Sequence, residues 1–359
     1  MGIVSIIVAI VLFSIIIFVH EFGHFIVAKA CGIRVNEFAI GMGPKLFSFG
    51  KKETVYSLRL FPIGGFCAME GEDDASDDPK AFGNKNVWKR IAVVVAGVAM
   101  NFLLGFLVLL VAIGAFLPLS NDGALIPTMT IAHLDESSTL YQSGLRAGDT
   151  ICSVDGRAIL TSVDLSIMLQ SDEDGVMSMK VKRDGKKVVL PAVKFDLIET
   201  EDGVRVLKYE FTLYGKPQNP LNTIVYAAKT ECSLVTSVWG SLGDIVTGKY
   251  GLNDLSGPVG TVDIIGDMVG QAAKTVSRED IYSVLSMFAL ISVNIGVMNL
   301  LPIPALDGGR LMFLLFEAIF RRPVPQKFEG LVHAIGFALL MVLMVVLVFN
   351  DVFRLITGG

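Results

Sequence analysis

Four apolar stretches, each bounded by polar residues, organise the chain: Ile3 to Ala28, Ile91 to Leu119, Ile281 to Leu301 and Leu331 to Phe349. Each can supply the run of about 20 helical residues that crosses the apolar core of a bilayer. The third ends at Leu301-Pro302-Ile303-Pro304, whose prolines cannot continue a regular helix. Between the first and second stretches, Thr54 to Phe61 alternates like a strand and runs into the turn signal Pro62-Ile63-Gly64-Gly65. That pattern predicts a membrane-associated β-hairpin, with two readings open on these residues: one that dips toward the site and one that stays on the surface.

The pattern changes again after the second stretch. From 120 to 215, short alternating runs are separated by turn residues: Gly144-Leu145-Arg146-Ala147-Gly148-Asp149, then Ile151 to Gly156, then an amphipathic Val163 to Leu169. Met177 to Arg183 and Lys187 to Leu190 read as strands joined by a tight Asp184-Gly185 turn. These features predict a small inserted α/β domain. Residues 216 to 280 read as a membrane-surface linker, with Thr223 to Val246 as a helix. The expected division is therefore 1–119, 120–215, 216–280 and 281–359.

Composition agrees with the pattern. Charged residues make up 18% of the 359, against about 25% in soluble domains, and the mean hydropathy is +0.62. The fold class is thus a multi-pass α-helical membrane protein of about four spans, with a membrane-associated β-hairpin and an inserted α/β domain. A net charge of −5 offers no basic footprint for nucleic acid. The four cysteines are scattered and form no C-x-x-C, so they indicate neither a zinc knuckle nor a disulfide framework. No Lys or Arg precedes Lys29 and no small-residue cleavage site follows, so the first stretch reads as a retained helix rather than a secretory signal. Basic residues such as Arg34, Lys45, Arg59, Lys89 and Arg90, and then Arg310, Arg321, Arg322 and Lys327, put those two connections on the cytoplasmic side. The inserted domain then lies outside.

The candidate chemistry lies in the first apolar stretch, at His20-Glu21-Phe22-Gly23-His24. On a helix, positions i and i+4 share a face, so both imidazoles can reach one metal ion. Ionisable groups inside a membrane segment are costly and need a partner, and a divalent cation satisfies all three. Glu21 can take a proton from attacking water as general base. A third protein ligand is needed. Val27 and Ala30 rule out a continued histidine motif on the same helix. Asp307, just beyond the proline break, is the best candidate, ahead of Glu317 and Glu329. Asn294 and Asn299 can support the site, or can simply bond neighbouring helices. Asn101 allows the same two readings, while His133 and His333 read as bystanders.

Taken together, these residues resemble the site-2 protease family of intramembrane zinc metalloproteases (peptidase family M50), in its bacterial RseP-like branch. The carrying motifs are His20 to His24 with Ala28-Lys29, and Asn299 to Gly309 ending in Leu306-Asp307-Gly308-Gly309. Gly41 to Lys45, Phe61 to Phe66 and Ser256-Gly257-Pro258-Val259-Gly260 support them.

The resemblance implies one zinc ion per chain on His20, His24 and Asp307, with Glu21 catalytic and Asn294 and Asn299 supporting substrate or site. It also implies that the strand before Gly64 and Gly65 receives extended substrate, and that the outer domain is a single PDZ-like domain where some relatives carry two. The family often has Gly-Pro where this chain has Gly97-Val98, and a Lys near Ala68. The implied activity is cleavage of single-pass membrane proteins in the bacterial inner membrane, freeing anti-sigma fragments or clearing remnant signal peptides. The competing readings are a non-catalytic membrane scaffold and a metal transporter, for which an intact Glu21 and a lone ligand cluster are poor fits.

Overall fold

The computed structural model describes residues 3–50, 53–72, 75–120, 123–170, 172, 174–199, 205–249 and 257–357. In chain order it runs α1 (Ile3–Ala30), β1 (Val35–Phe49), β2 (Val55–Met69), α2 (Val87–Phe116), β3 (Leu119–Ser120) and β4 (Gly123–Leu134). There follow α3 (Thr139–Gln142), β5 (Thr150–Val154), β6 (Arg157–Ala158), α4 (Ser162–Gln170), β7 (Val176–Arg183) and β8 (Lys186–Lys194). Short strands β9 (Leu197–Glu199) and β10 (Arg205–Leu207) and the longer β11 (Phe211–Pro217) complete the β-rich part. The remainder is helical: α5 (Pro220–Val246), α6 (Pro258–Thr275), α7 (Arg278–Leu300), α8 (Asp307–Phe320) and α9 (Gln326–Thr357). Two compact units emerge, Met1–Val108 with Leu242–Gly359, and Leu109–Ser241.

In the first unit, four helices among the described residues are long and apolar enough to cross a membrane: Ile6–Ala30, Val87–Phe116, Arg278–Leu300 and Lys327–Arg354. The α1 sequence is rich in Ile and Val, which favour strands in water. In lipid every backbone amide needs an internal partner, so a helix wins. Helix α7 opens on a Ser277 cap that accepts the Asp280 N–H at 3.1 Å, and it stops at Leu301, ahead of Pro302. Near the other end of the chain, the buried Asp351 of α9 accepts N–H groups from Gly257 and Gly260 at 3.0 and 2.9 Å, which clasps the start of α6. Ser256, from the motif read in the sequence, lies outside the described residues.

The hairpin is more elaborate than the sequence suggested. Phe38 pairs with both Cys67 and Tyr56, and Ile40 with both Gly65 and Leu58, while Phe49 pairs back with Tyr56. Four strand segments therefore lie side by side in the order 45–49, 55–59, 35–40, 65–69. The turn expected at Pro62 to Gly65 does not end the strand: β2 continues to Met69, and Gly64 takes a φ of +93° to re-aim it. Glu37 ties these segments together. Burial pushes its carboxyl up, but hydrogen bonds from Lys45, Ser57 and Arg59 prevail and hold it at about 2. One end of the sheet exposes Met42, Leu46, Phe47, Phe49 and Phe61. The other packs Phe38, Cys67 and Met69 against Ala28 of α1, Val93 and Val94 of α2, and Leu314 of α8.

The second unit is built on a sheet in the order β11-β4-β5-β7-β8, with β3 and β6 attached. Ile131, Leu140, Leu145, Ile151, Met177, Met179, Val181 and Val193 are fully buried in its core. The Asp184-Gly185 turn between β7 and β8 takes φ values of +48° and +81°, as a tight hairpin requires. The fully buried Asp149 carboxylate receives a two-point fork from Arg183 at 2.7 Å on each oxygen. Most of α5 belongs to this unit: Ser233 donates to the buried Asp164 at 2.6 Å, and Tyr226 and Leu234 are buried. Helix α6 instead packs on α1, α7 and α9 in the first unit. The stretch 216–280, expected as one linker, is therefore shared between the two units.

Candidate metal centre

One turn of α1 separates His20 from His24, and both imidazoles are buried with their Nε2 atoms 3.2 Å apart. Asp307, the first residue of α8, places Oδ2 3.0 Å from His20 Nε2 and 3.2 Å from His24 Nε2. Among the described residues this is the group of His, Cys, Asp or Glu side chains able to hold a metal ion. Its dimensions fit a metal. Ligands at about 2.0–2.1 Å from a tetrahedral zinc stand roughly 3.3 Å apart from one another.

Proton bookkeeping supports the same conclusion. His24 Nδ1 lies 2.8 Å from the Val93 carbonyl, which can only accept, so Nδ1 carries the proton and neutral His24 presents a bare lone pair at Nε2. That lone pair faces an acidic oxygen. Asp307, as a carboxylate, adds an oxygen that can only accept or coordinate at the same point. Three electron-rich atoms turned toward one point call for a cation between them.

Helix α2 supplies the backing. Val93, Gly97 and Asn101 recur every four residues on one face of it. The Val93 carbonyl orients His24. Asn101, fully buried, lies 3.2 Å from His20 Nδ1 through its amide nitrogen, while its Oδ1 has no partner. Exchanging the amide O and N turns that pair into an Nδ1–H donating to Oδ1, which leaves His20 Nε2 free for metal. A methyl group on Gly97 would overlap His24 Nε2 and come within 2.7 Å of His20 Cε1. Only glycine leaves room for both rings.

Glu21 interacts electrostatically with His20, His24 and Asp307. The edge segment 65–69 passes beside it: a methyl on Gly65 would lie 3.5 Å from Glu21 Cγ. Gly64 sits one residue further out, against Met42. The Asp307 side depends on equally close packing. A side chain on Gly308 would overlap the carbonyls of Leu300 and Leu301, and one on Gly309 would come within 2.5 Å of the Ile303 carbonyl.

Other sequence candidates fall elsewhere. Glu317 pairs with Arg90 and Glu329 lies near Arg310, so neither joins the cluster. Asn294 is exposed on α7 and Asn299 is half-buried, and neither side chain has a hydrogen bond within the described residues. Ser292 of the same helix donates to the Asn101 carbonyl at 2.8 Å, so α7 braces α2 through Ser292. Val93 escaped the sequence reading, and Gly97 entered it only as part of Gly97-Val98, without a role beside the histidines. The four-residue spacing of Gly97 and Asn101, which repeats that of the histidines, was the available signal.

Residues 8–343 match peptidase family M50. The regulator of sigma-W protease RasP of Bacillus subtilis is 31% identical over 98% of this chain and 99% of its own length. The zinc metalloprotease RasP of Shouchella clausii is 32% identical over 96% of this chain and 98% of its own length. A Clostridium acetobutylicum protein named for zinc metalloprotease activity is 36% identical over 98% of both chains. A buried donor set dimensioned for zinc, carried on apolar helices, thus coincides with a likeness that runs nearly end to end, and the chain belongs to peptidase family M50, the zinc metalloendopeptidases.

Proposed function

We propose that this chain hydrolyses peptide bonds within or near the transmembrane segments of single-pass membrane proteins, close to the cytoplasmic face of a bacterial inner membrane. The observation that carries the reading is the convergence of His20, His24 and Asp307 to within 3.0–3.2 Å inside a set of apolar helices. These three residues hold the zinc ion. Zinc bound there supplies Lewis acidity, polarising the scissile carbonyl and bringing the pKa of attacking water toward about 7.

The remaining work falls to the protein. Glu21 takes the proton of the attacking water and returns it to the leaving amine nitrogen as the C–N bond breaks. His20 and His24 stay fixed by Asn101 and Val93. A helical substrate hides its peptide bonds, so it must unwind to react. Among the described residues, segment 65–69 pairs with 35–40 on one side only, and an unwound substrate can add to its other side as a strand, passing Glu21 at Gly65. Asn294 and Asn299 lie on α7, where they can meet that substrate. The outer α/β unit acts as a PDZ-like domain that selects trimmed substrates. The name of the Bacillus relative concerns sigma-factor control, and we extend the substrate class here to membrane-anchored regulators such as anti-sigma factors and to remnant signal peptides.

The test is cleavage of a tagged single-pass substrate by purified protein in detergent. Wild type is compared with Glu21→Gln and with a chelated sample given zinc back. Glu21→Gln should lose about 10²–10⁴-fold in rate while keeping its zinc, and zinc should restore only the wild type. Equal cleavage by Glu21→Gln would overturn the assignment of the base.

A further inference from the structure

The connection between α7 and α8 carries Asp307 into the site, and its amides can be accounted for one by one. Pro302 and Pro304 have none. Leu301, Ile303 and Leu306 donate to Met298, Leu301 and Ile303 at 3.1, 2.7 and 3.2 Å, all local backbone bonds. The Ala305 N–H is the exception. It donates to His333 Nδ1 on α9 at 2.9 Å, across 28 residues of sequence. Ala305 also has a φ of +78°, a left-handed conformation that a residue with a Cβ holds only when its surroundings impose it.

Helix α9 provides those surroundings twice on one face. Three residues after His333, Gly336 lies so close to Pro304 that a methyl group there would stand 2.8 Å from the Pro304 carbonyl oxygen. A backbone N–H can only donate, so His333 Nδ1 is bare and its proton sits on Nε2. Nε2 in turn faces Glu329 at 4.0 Å, and Glu329 lies 3.9 Å from Arg310, three residues beyond Asp307. Arg310 also pairs with Glu72, whose second oxygen accepts the Met69 N–H at 3.2 Å at the end of segment 65–69. A polar chain thus runs from the edge segment through α8 and α9 back to the ligand-bearing loop.

We propose that His333 is a positioning residue for the third metal ligand, holding the Ala305 amide so that Asp307 reaches His20 and His24. The proposal rests on the zinc site described above. It predicts an effect on zinc affinity that depends on where the acceptor atom stands.

Zinc affinity of the full chain in detergent would be measured by competition with a chromogenic chelator, for wild type, His333→Ala, His333→Asn, His333→Gln and His20→Ala. His333→Ala should bind zinc about 10–100-fold more weakly, the range expected when an outer partner of a ligand is lost. His333→Asn puts an oxygen where Nδ1 stands and should restore most of that affinity. His333→Gln puts its acceptor at the Nε2 position and should not. Wild-type affinity in His333→Ala would overturn the proposal. So would equal weakening in all three His333 variants, since the position of the acceptor atom would then make no difference. If His20→Ala also retains full affinity, the zinc site itself is misassigned, and that failure is separate.

Discussion

His20 and His24 stand on an unbroken helix of 28 residues, whereas Asp307 stands at the start of α8, behind a connection with two prolines and a left-handed alanine. For the histidine pair, helical periodicity alone sets the distance between the rings, and the tertiary structure need only avoid crowding them and orient their far nitrogens. For the aspartate, nothing local sets the position. It depends on glycines at 308 and 309 letting backbone approach backbone, and on α9 holding the loop from the other side. One ligand set therefore combines a part fixed by secondary structure with a part fixed by packing, and the two should fail differently.

The largest expected effect breaks the histidine side. Gly97→Ala drives a methyl into both imidazoles, and zinc affinity should fall by at least about 100-fold, the upper end for lost support of a ligand. Chelator competition would check it, and unchanged affinity would mean α2 has room to retreat. Gly308→Ala attacks the aspartate side. Displacing Asp307 leaves two histidines in place, so zinc binding should weaken by about 10–100-fold without vanishing. A Gly308→Ala loss exceeding that of Gly97→Ala would reverse the comparison.

Asn101→Ala removes the partner of His20 Nδ1 while leaving the helix intact, and about 10-fold weaker zinc binding is expected. No change would show that His20 needs no orienting group. The gentlest probe removes the metal itself. On chelation, hydrogen exchange should quicken at 303–306 and stay slow at 16–24, because the helix keeps its own bonds and the loop loses its anchor. Equal protection in both segments would show that the loop is held without zinc.

This difference also explains what could be read in advance. The four spans, the histidine pair and Glu21 follow from hydropathy and a four-residue spacing, both local properties of the chain. Asp307 was legible because the prolines preceding it mark a broken helix at membrane depth. His333 read as a bystander because its partner is a backbone amide, which no side-chain pattern reveals. Gly97 was passed over because its contribution is an absence of atoms, visible only once α1 and α2 face each other. The strand pattern of 54–61 was correct as far as it went. That both β1 and β2 fold back on themselves depends on pairings across the sheet, and Pro62 to Gly65 looked like an end when it is a bend within β2. The linker at 216–280 was misdivided for a similar reason: Ser233 and Asp164, far apart in sequence, decide where α5 belongs.

The outer end of the four-segment sheet has a bearing on how such a protein can be handled. Leu46, Phe47 and Phe49 are all exposed along an edge segment whose far side pairs with no other strand among the described residues. In water, a bare apolar edge of this kind invites a second copy to dock and extend the ladder. A detergent chosen to sheathe the helices alone would leave that edge wet, and the first sign of poor extraction should be β-rich aggregate rather than loss of helix.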